Sequence, residues 1–338
     1  MLVLRPVALA DLPQLQQLAR DSLVGVSSLP DDSDCLQQKI LDSVASFSND
    51  VQENGGETYC FVLEDPQHQR LLGCAEIVAT AGHTQPFYSL RNRPFVSASR
   101  ELNIHNGVPA LSLCQDLSPH TLLRGFHIDH ELARSAFAQL LSRARLLFIA
   151  AHPQRFSDAV LSEIVGYSDA QGQSPFWDAL GSHFFNLTYA EAEHLRGTQD
   201  RTLLAEMMPH YPIYVPMLPP QAQACIGRVH PDDQAACAIL EGEGFEIHSY
   251  VDLFDAGPTL IARTPNIRSI ARSRVVSAQL GSPLRGQTPY LVSNDRLADY
   301  RAMLVELDCS DGQPIVLDAA TLNALQLKDG SPLRLIAL

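Results

Sequence analysis

Positive charge is scarce in this sequence. Lysine and arginine number 24 against 38 aspartates and glutamates, a formal net charge of −14, and nowhere do basic residues gather into a run. A surface of that sign repels phosphate backbones and anionic lipid, so neither nucleic acid nor a membrane is expected as the main partner. Backbone amides at a helix start can still hold a phosphate-bearing ligand without a basic patch. No apolar run reaches the length of a bilayer span. The opening "MLVLRPVALADLPQL" brings acid and proline too early for a secretory signal. The seven cysteines (35, 60, 74, 114, 225, 237 and 309) are odd in number, scattered, and free of any C-x-x-C pair. Several lie in apolar stretches such as "YCFVLED", so buried reduced thiols in a cytoplasmic protein are the expectation. No His, Cys and Asp grouping has metal-ligand spacing and no G-x-S-x-G occurs, so neither a metal nor a serine hydrolase is expected.

What is present reads as a globular chain with room for two domains: 338 residues, 46% hydrophobic and 18% charged. "MLVLRP" reads as a strand, and "ALADLPQLQQLARDS" as a helix begun by Asp11 and Pro13. "TYCFVLED" and "RLLGCAEIVATAG", joined by the polar "PQHQ", read as an antiparallel hairpin. Residues 83–120 lack a clean period and are expected as an irregular insertion over the sheet. "LLRGFHID" is a strand leading into a helix that runs to about Leu147, and "VLSEIVGYSD" is the next strand. "SPFWDALGSHFF" is a short helix closed by Gly181, with Trp177 expected in the core, and "PHYPIYVPMLPP" is too proline-rich for a central strand. From about Val275 the βα texture gives way to short strands and turns, with "AATLNALQL" as the single helix signal. The expected fold class is therefore α+β, with a mixed α/β sheet in residues 1–275 and a small β-barrel-like unit in 276–338. The echo between "PFWDALGSHFF" and "ACAILEGEGFE" leaves open a degenerate second half from about residue 190.

One histidine stands apart. In "GRVHPDDQAACAILEGEGFE", Pro231 suits a first helical position, Asp232 and Asp233 favour the first turn, and Gly244 stops the helix. His230 is thereby fixed at a helix entrance, either as a cap or as a placed acid/base.

Together, "LVLRPVALADLPQLQQLA", the hairpin, the strand-to-helix crossing and "SPFWDALGSHFF" resemble the Gcn5-related N-acyltransferases. More narrowly, "SLPDD", "FVLED", "SPFWDALG", "AEMMPHYPIYVPML", "GRVHP", "GFEIHSYVDLFDAGPTL" and "LVSND" resemble the arginine N-succinyltransferases over essentially the whole length. The resemblance implies an acyl-CoA lying in a V-shaped split between two neighbouring strands. It implies succinyl transfer from succinyl-CoA, as co-substrate and not as a resident cofactor, to the α-amino group of L-arginine, with ornithine as a second substrate. It assigns His230 as catalytic acid/base and Phe126 as a succinyl-CoA contact on "GFHID", which also places Ile128 on the pantetheine-pairing strand. The pyrophosphate is then expected at the next helix start, near Arg134 and Ser135, although "ARSAFA" has no glycine where the fold usually has two. Asp252, Asp255 and Glu163 are candidate partners for the substrate's cationic end, and His105 and His210 are weaker pocket candidates. Some members of this family pair unequal subunits, so the chain is expected in a homo-oligomer or beside a paralogous partner. The missing glycines keep open the alternative of a weakly catalytic or regulatory subunit.

Overall fold

The computed structural model describes residues 1–99, 101, 104–199, 202–282, 285–307 and 314–338. Cys309 and the side chain of His105 lie outside what is described. The chain opens with β1 (Val3–Pro6), then α1 (Leu12–Asp21), with a proline in its first turn and Leu15, Leu18 and Ala19 buried on one face. Asp32 caps α2 (Ser33–Ser48), accepting from the Cys35 N–H at 2.8 Å. The hairpin of β2 (Thr58–Asp65) and β3 (Arg70–Val78) follows. β4 (Ser89–Ser99) and β5 (Ile104–Cys114) come next, then β6 (Thr121–Ile128), α3 (Ala136–Ala151) and β7 (Ala159–Glu163).

Short elements fill the middle: α4 (Pro175–Ala179), α5 (Tyr189–Thr198), α6 (Thr202–Met207), β8 (Ile213–Tyr214) and α7 (Pro220–Gln223). Then come α8 (Gln234–Gly242), β9 (Glu246–Val251), β10 (Pro258–Arg263) and α9 (Arg268–Arg272). The end of the chain is β11 (Arg274–Leu280), β12 (Arg285–Ser293), β13 (Ala302–Leu307), β14 (Ile315–Leu317), α10 (Ala319–Ala324) and β15 (Pro332–Ala337).

The strands form one mixed sheet in the order β14-β11-β15-β12-β13-β1-β2-β3-β6-β7-β10-β9-β4-β5-β8. Among the described residues only β6–β7 and β11–β14 run parallel. A parallel neighbour requires a crossover, and α3 supplies it for β6 and β7. Its apolar face, with Leu140, Leu141, Ala144, Leu147 and Phe148, is buried against the sheet. Phe148 meets Phe47, Tyr59, Phe61 and Tyr300 at ring-centroid distances of 5.1–5.6 Å, three of the four edge-on.

Two expectations need correction. Residues 89–99 and 104–114 are not an irregular insertion but two long antiparallel strands, paired with β9 on one side and β8 on the other. Pro94 and Pro109 face each other on one rung, so the missing N–H groups fall at a single level of the ladder. The strand expected over "VLSEIVGYSD" is shorter, ending at Glu163, with only an isolated bridge from Gly166 to Val229 beyond it. The proline-rich stretch contributes the two-residue β8, at the sheet's end.

The last strands have a core of their own around Ala278, Val292, Met303, Leu325 and Leu333. They also share the main one: Leu4 pairs with Ala302, and the Tyr300 hydroxyl donates to Ala144 O at 2.8 Å on α3.

Candidate active site

The site lies where β6 and β7 part. Their parallel rungs run from Thr121–Val160 to Leu123–Ser162 and then stop, while β6 continues to Ile128 paired to β3 alone. The β3–β6 register slips between Cys74 and Glu76, opposite Gly125, whose φ of +61° is a conformation glycine reaches without strain. This bulge leaves Arg124 and Phe126 both lining a cavity of about 390 Å³ that opens in the split. A second cavity of about 420 Å³ lies beyond Phe126, lined by Ile128, Asp129, Ala133 and the start of α8. Phe126 and Asp233 border both.

The β7 side of the first cavity is acidic. Glu163 ends β7, and Asp252 and Asp255 lie in the turn between β9 and β10; all three line the cavity. Arg196 on α5 bridges two of them, donating to Glu163 at 3.1 Å and Asp252 at 2.8 Å, and also donates to the buried Glu193 at 3.3 Å. The guanidinium also lies 4.8 Å from the centre of the Phe254 ring. One cation faces four carboxyl groups here. Burial, then the neighbouring Asp252 charge, pushes Glu163 up to about 8, and burial and Asp252 push Asp255 up to about 7. Burial likewise drives Glu193 well above the ordinary range.

The oxygens differ in their freedom. Asp252 spends Oδ1 on the Phe254 and Asp255 N–H groups and Oδ2 on Arg196. Asp255 accepts from Gly257, Gly166 and the Tyr189 hydroxyl. The next residue, Ala256, holds this turn at φ +54°, a conformation rarely taken by a residue with a Cβ. Glu163 Oε1, by contrast, is buried without a partner.

The β3 side is cationic. Glu76, 1% exposed, accepts from Lys39 Nζ at 2.6 Å and from Arg124 Nε, and these two cations hold its carboxyl down at about 2 against burial, which acts the other way. Arg145 on α3 is 2% exposed, lines the cavity with Ser142, and lies 5.7 Å from the Phe126 ring centre. The strand order β3-β6-β7-β10 therefore places the cations on one side of the split and the acids on the other.

His230 stands at the edge of this arrangement. Its N–H donates to Val165 O at 2.8 Å, so the chain around it pairs with the continuation of β7. The side chain is largely covered but lines neither cavity; Asp233, three residues on, borders both and accepts from the Val165 N–H at 3.0 Å. Asp232 N–H donates to His230 Nδ1 at 3.2 Å, so the neutral ring caps the turn Pro231–Asp233 and carries its proton on Nε2. Burial draws the imidazole below its ordinary value, opposed by Asp232, whose Oδ2 is 3.9 Å from Nδ1. Burial also lifts Asp233 to about 6.

Of the residues singled out from sequence, Phe126, Glu163, Asp252 and Asp255 come together at the first cavity, and Ile128 lines the second. Arg134 and Ser135 line neither. The Ser135 hydroxyl is occupied as the N-cap of α3, accepting from Phe137 N–H at 3.1 Å and donating to Leu132 O at 2.7 Å. His210 is exposed and away from both cavities, and Trp177 is buried, stacked at 5.3 Å on Phe254. Sequence reasoning passed over Arg145, Arg124, Glu76, Arg196 and Asp233. The one local signal was the pair of arginines, Arg143 and Arg145, in the mostly apolar "LLSRARLLFIAA".

Comparison with known proteins agrees along the full length. Residues 2–269 match the family model described as arginine N-succinyltransferase beta subunit, and residues 272–337 match that of its C-terminal domain. The arginine N-succinyltransferase subunit alpha of Pseudomonas aeruginosa is 55% identical, with all of both chains covered. The subunit beta of that organism is 38% identical over all of this chain and 98% of its own. The solved structure of arginine/ornithine succinyltransferase subunit AI from Pseudomonas aeruginosa superposes with a TM-score of 0.94 at 53% identity, covering 100% of this chain and 98% of that one. With the split strands, the buried charge and this full-length similarity in agreement, the chain belongs to the arginine N-succinyltransferase family.

Proposed function

We propose that this protein transfers the succinyl group from succinyl-CoA to the α-amino group of L-arginine, giving N2-succinylarginine and CoA, the first step of arginine degradation by the succinyltransferase route. Ornithine, with the same head and a shorter cationic tail, is the second substrate. The observation that carries the reading is Glu163, a buried carboxyl on the cavity wall with one oxygen unpartnered beside a single shared arginine. A guanidinium or ammonium entering there completes that set, and its charge favours the ionised form.

In this reading the fold is that of the Gcn5-related N-acyltransferases. The free edge of β6 from Arg124 to Ile128 pairs with the pantetheine arm, and the thioester lies at Phe126 in the split. Attack by the neutral α-amine forms the C–N bond and breaks the C–S bond; one proton leaves the nitrogen and one is supplied to the thiolate. His230 handles these protons. It takes one only after giving up its cap to Asp232 N–H; Asp232 Oδ2 is then the near anion for a protonated Nδ1, freeing Nε2 for exchange. Asp233 borders both cavities from the same turn, where it orients that turn through Val165.

We also propose that the chain works in the cytoplasm as one subunit of a hetero-oligomer. Its six described cysteines are free thiols, and no described helix is long and apolar enough to cross a membrane. Exposed Tyr211, Tyr214 and Met217 near the β8 edge suit an assembly contact. Residues 276–338 form a small barrel-like unit that serves packing and assembly, beside an acyltransferase unit in 1–275. The test is release of CoA thiol from succinyl-CoA with arginine and with ornithine, and identification of the product by mass. Thiol release without an Nα-succinylated product overturns the reading.

A further inference from the structure

The acyl group of succinyl-CoA ends in a carboxylate, and a buried carboxylate demands a cation and hydrogen-bond donors. The cavity provides both on the β3 side, apart from the acidic wall. Arg145 is 2% exposed. Its donors reach only neutral acceptors at the long end of the hydrogen-bond range: Ser142 O at 3.2 Å, Ser142 Oγ at 3.3 Å and Glu76 O at 3.4 Å. Burial accordingly draws it down to about 10. Arg143, two residues earlier, has the Glu243 carboxylate at 2.8 Å. Arg124, on the same wall, shares Glu76 with Lys39, so two cations divide one carboxylate.

We infer that Arg145, supported by Arg124, receives the terminal carboxylate of the succinyl group and sets the preference for succinyl-CoA over uncharged acyl-CoA. Arg145 and Ser142 sit one helical turn apart on α3 and line the same cavity as Arg124, Gly125 and Phe126. A thioester held at Phe126 sends its acyl chain into this space, where the guanidinium offers a planar pair of donors. The inference rests on the acyl-transfer reading above and names the specificity-determining residue within it.

The test compares kcat/KM for succinyl-CoA and butyryl-CoA, which has a methyl group in place of the carboxylate, at saturating arginine in the assembled enzyme. Wild type favours succinyl-CoA. Arg145→Met lowers the succinyl-to-butyryl ratio about 100-fold, the usual scale for removing one partner of a buried charged pair. Arg145→Lys restores part of it, keeping the charge without the fork. A ratio unchanged within threefold in Arg145→Met, or an equal loss for both thioesters, overturns the inference and leaves arginine succinylation standing. If Arg145→Met does not fold, wild-type inhibition decides: succinyl-CoA and its neutral succinamyl analogue competing equally overturns the inference. A wild type that acylates arginine no faster from succinyl-CoA than from butyryl-CoA defeats the parent reading instead.

Discussion

Replacing Glu163 by glutamine sets the stability of this protein against its activity, with a size that depends on pH. The Glu163 carboxyl stands at about 8 in the folded chain against 4.5 for the free group. A folded-state value raised in this way favours folding below about pH 4.5, and the benefit is lost as pH rises through about 8. At pH 8 the gap of roughly 3.5 units corresponds to at most about 5 kcal/mol of strain, at about 1.4 kcal/mol per unit. Glutamine resembles the protonated carboxyl and removes that strain, which is already net of the opposing pull of Arg196. Glu163→Gln is therefore more stable than wild type near pH 8, by at most about 4 kcal/mol, and the gain shrinks to under about 1 kcal/mol near pH 5, where the wild-type group is protonated. At roughly 2–4 °C per kcal/mol, the melting temperatures converge toward pH 5 and separate at the alkaline end, with Glu163→Gln higher by several degrees. The KM for arginine rises about 10- to 100-fold in the same protein, the loss of one charge-assisted contact. A variant destabilised equally at every pH, with KM for arginine unchanged, refutes the assignment of Glu163 as a strained, substrate-facing carboxyl.

Gly125→Val places a branched side chain at φ +61°, so it weakens CoA binding in calorimetric titration by at least tenfold if the bulge positions the thioester; unaltered affinity removes β6 from the CoA site. Ser135→Ala costs about 1 kcal/mol in denaturant unfolding by loss of the α3 cap, with little change in CoA affinity; a large affinity loss returns the pyrophosphate to that hydroxyl. Arginine binding near neutral pH releases protons as Glu163 and Asp255 ionise beside it, which titrations in buffers of different ionisation enthalpy detect; proton uptake contradicts the acidic subsite.

The local signals that sequence carries were those of period and cap. The β2–β3 hairpin, the crossing through α3 and the entrance to α8 follow from alternation, helical spacing and Pro231. The β4–β5 hairpin escaped because residues 83–120 carry no clean alternation, and only the register shows the two strands paired. The acidic wall escaped in part because it joins β7, α5 and the β9–β10 turn, and sequence separation hides such a union. Asp252 and Asp255 were legible as carboxylates, while the commitment of their oxygens to backbone N–H groups was not. Arg145 was masked by the apolar run around it, and Ser135 was visible as a polar residue at a helix start but is occupied by the helix itself.

The most direct test of the account is turnover against CoA affinity in His230→Ala and His230→Gln, each purified with any partner subunit the wild type needs. Turnover is expected to fall by roughly two to four orders of magnitude in both, with CoA affinity nearly unchanged, since the proposed site holds CoA along β6 and not at His230. The acidic limb of the wild-type pH profile is expected below about 6.5, since burial disfavours the imidazolium, and to vanish in both variants. Near-normal turnover in His230→Ala, with a lowered melting temperature as the sole effect, would contradict it and leave His230 as the cap of the Pro231–Asp233 turn alone.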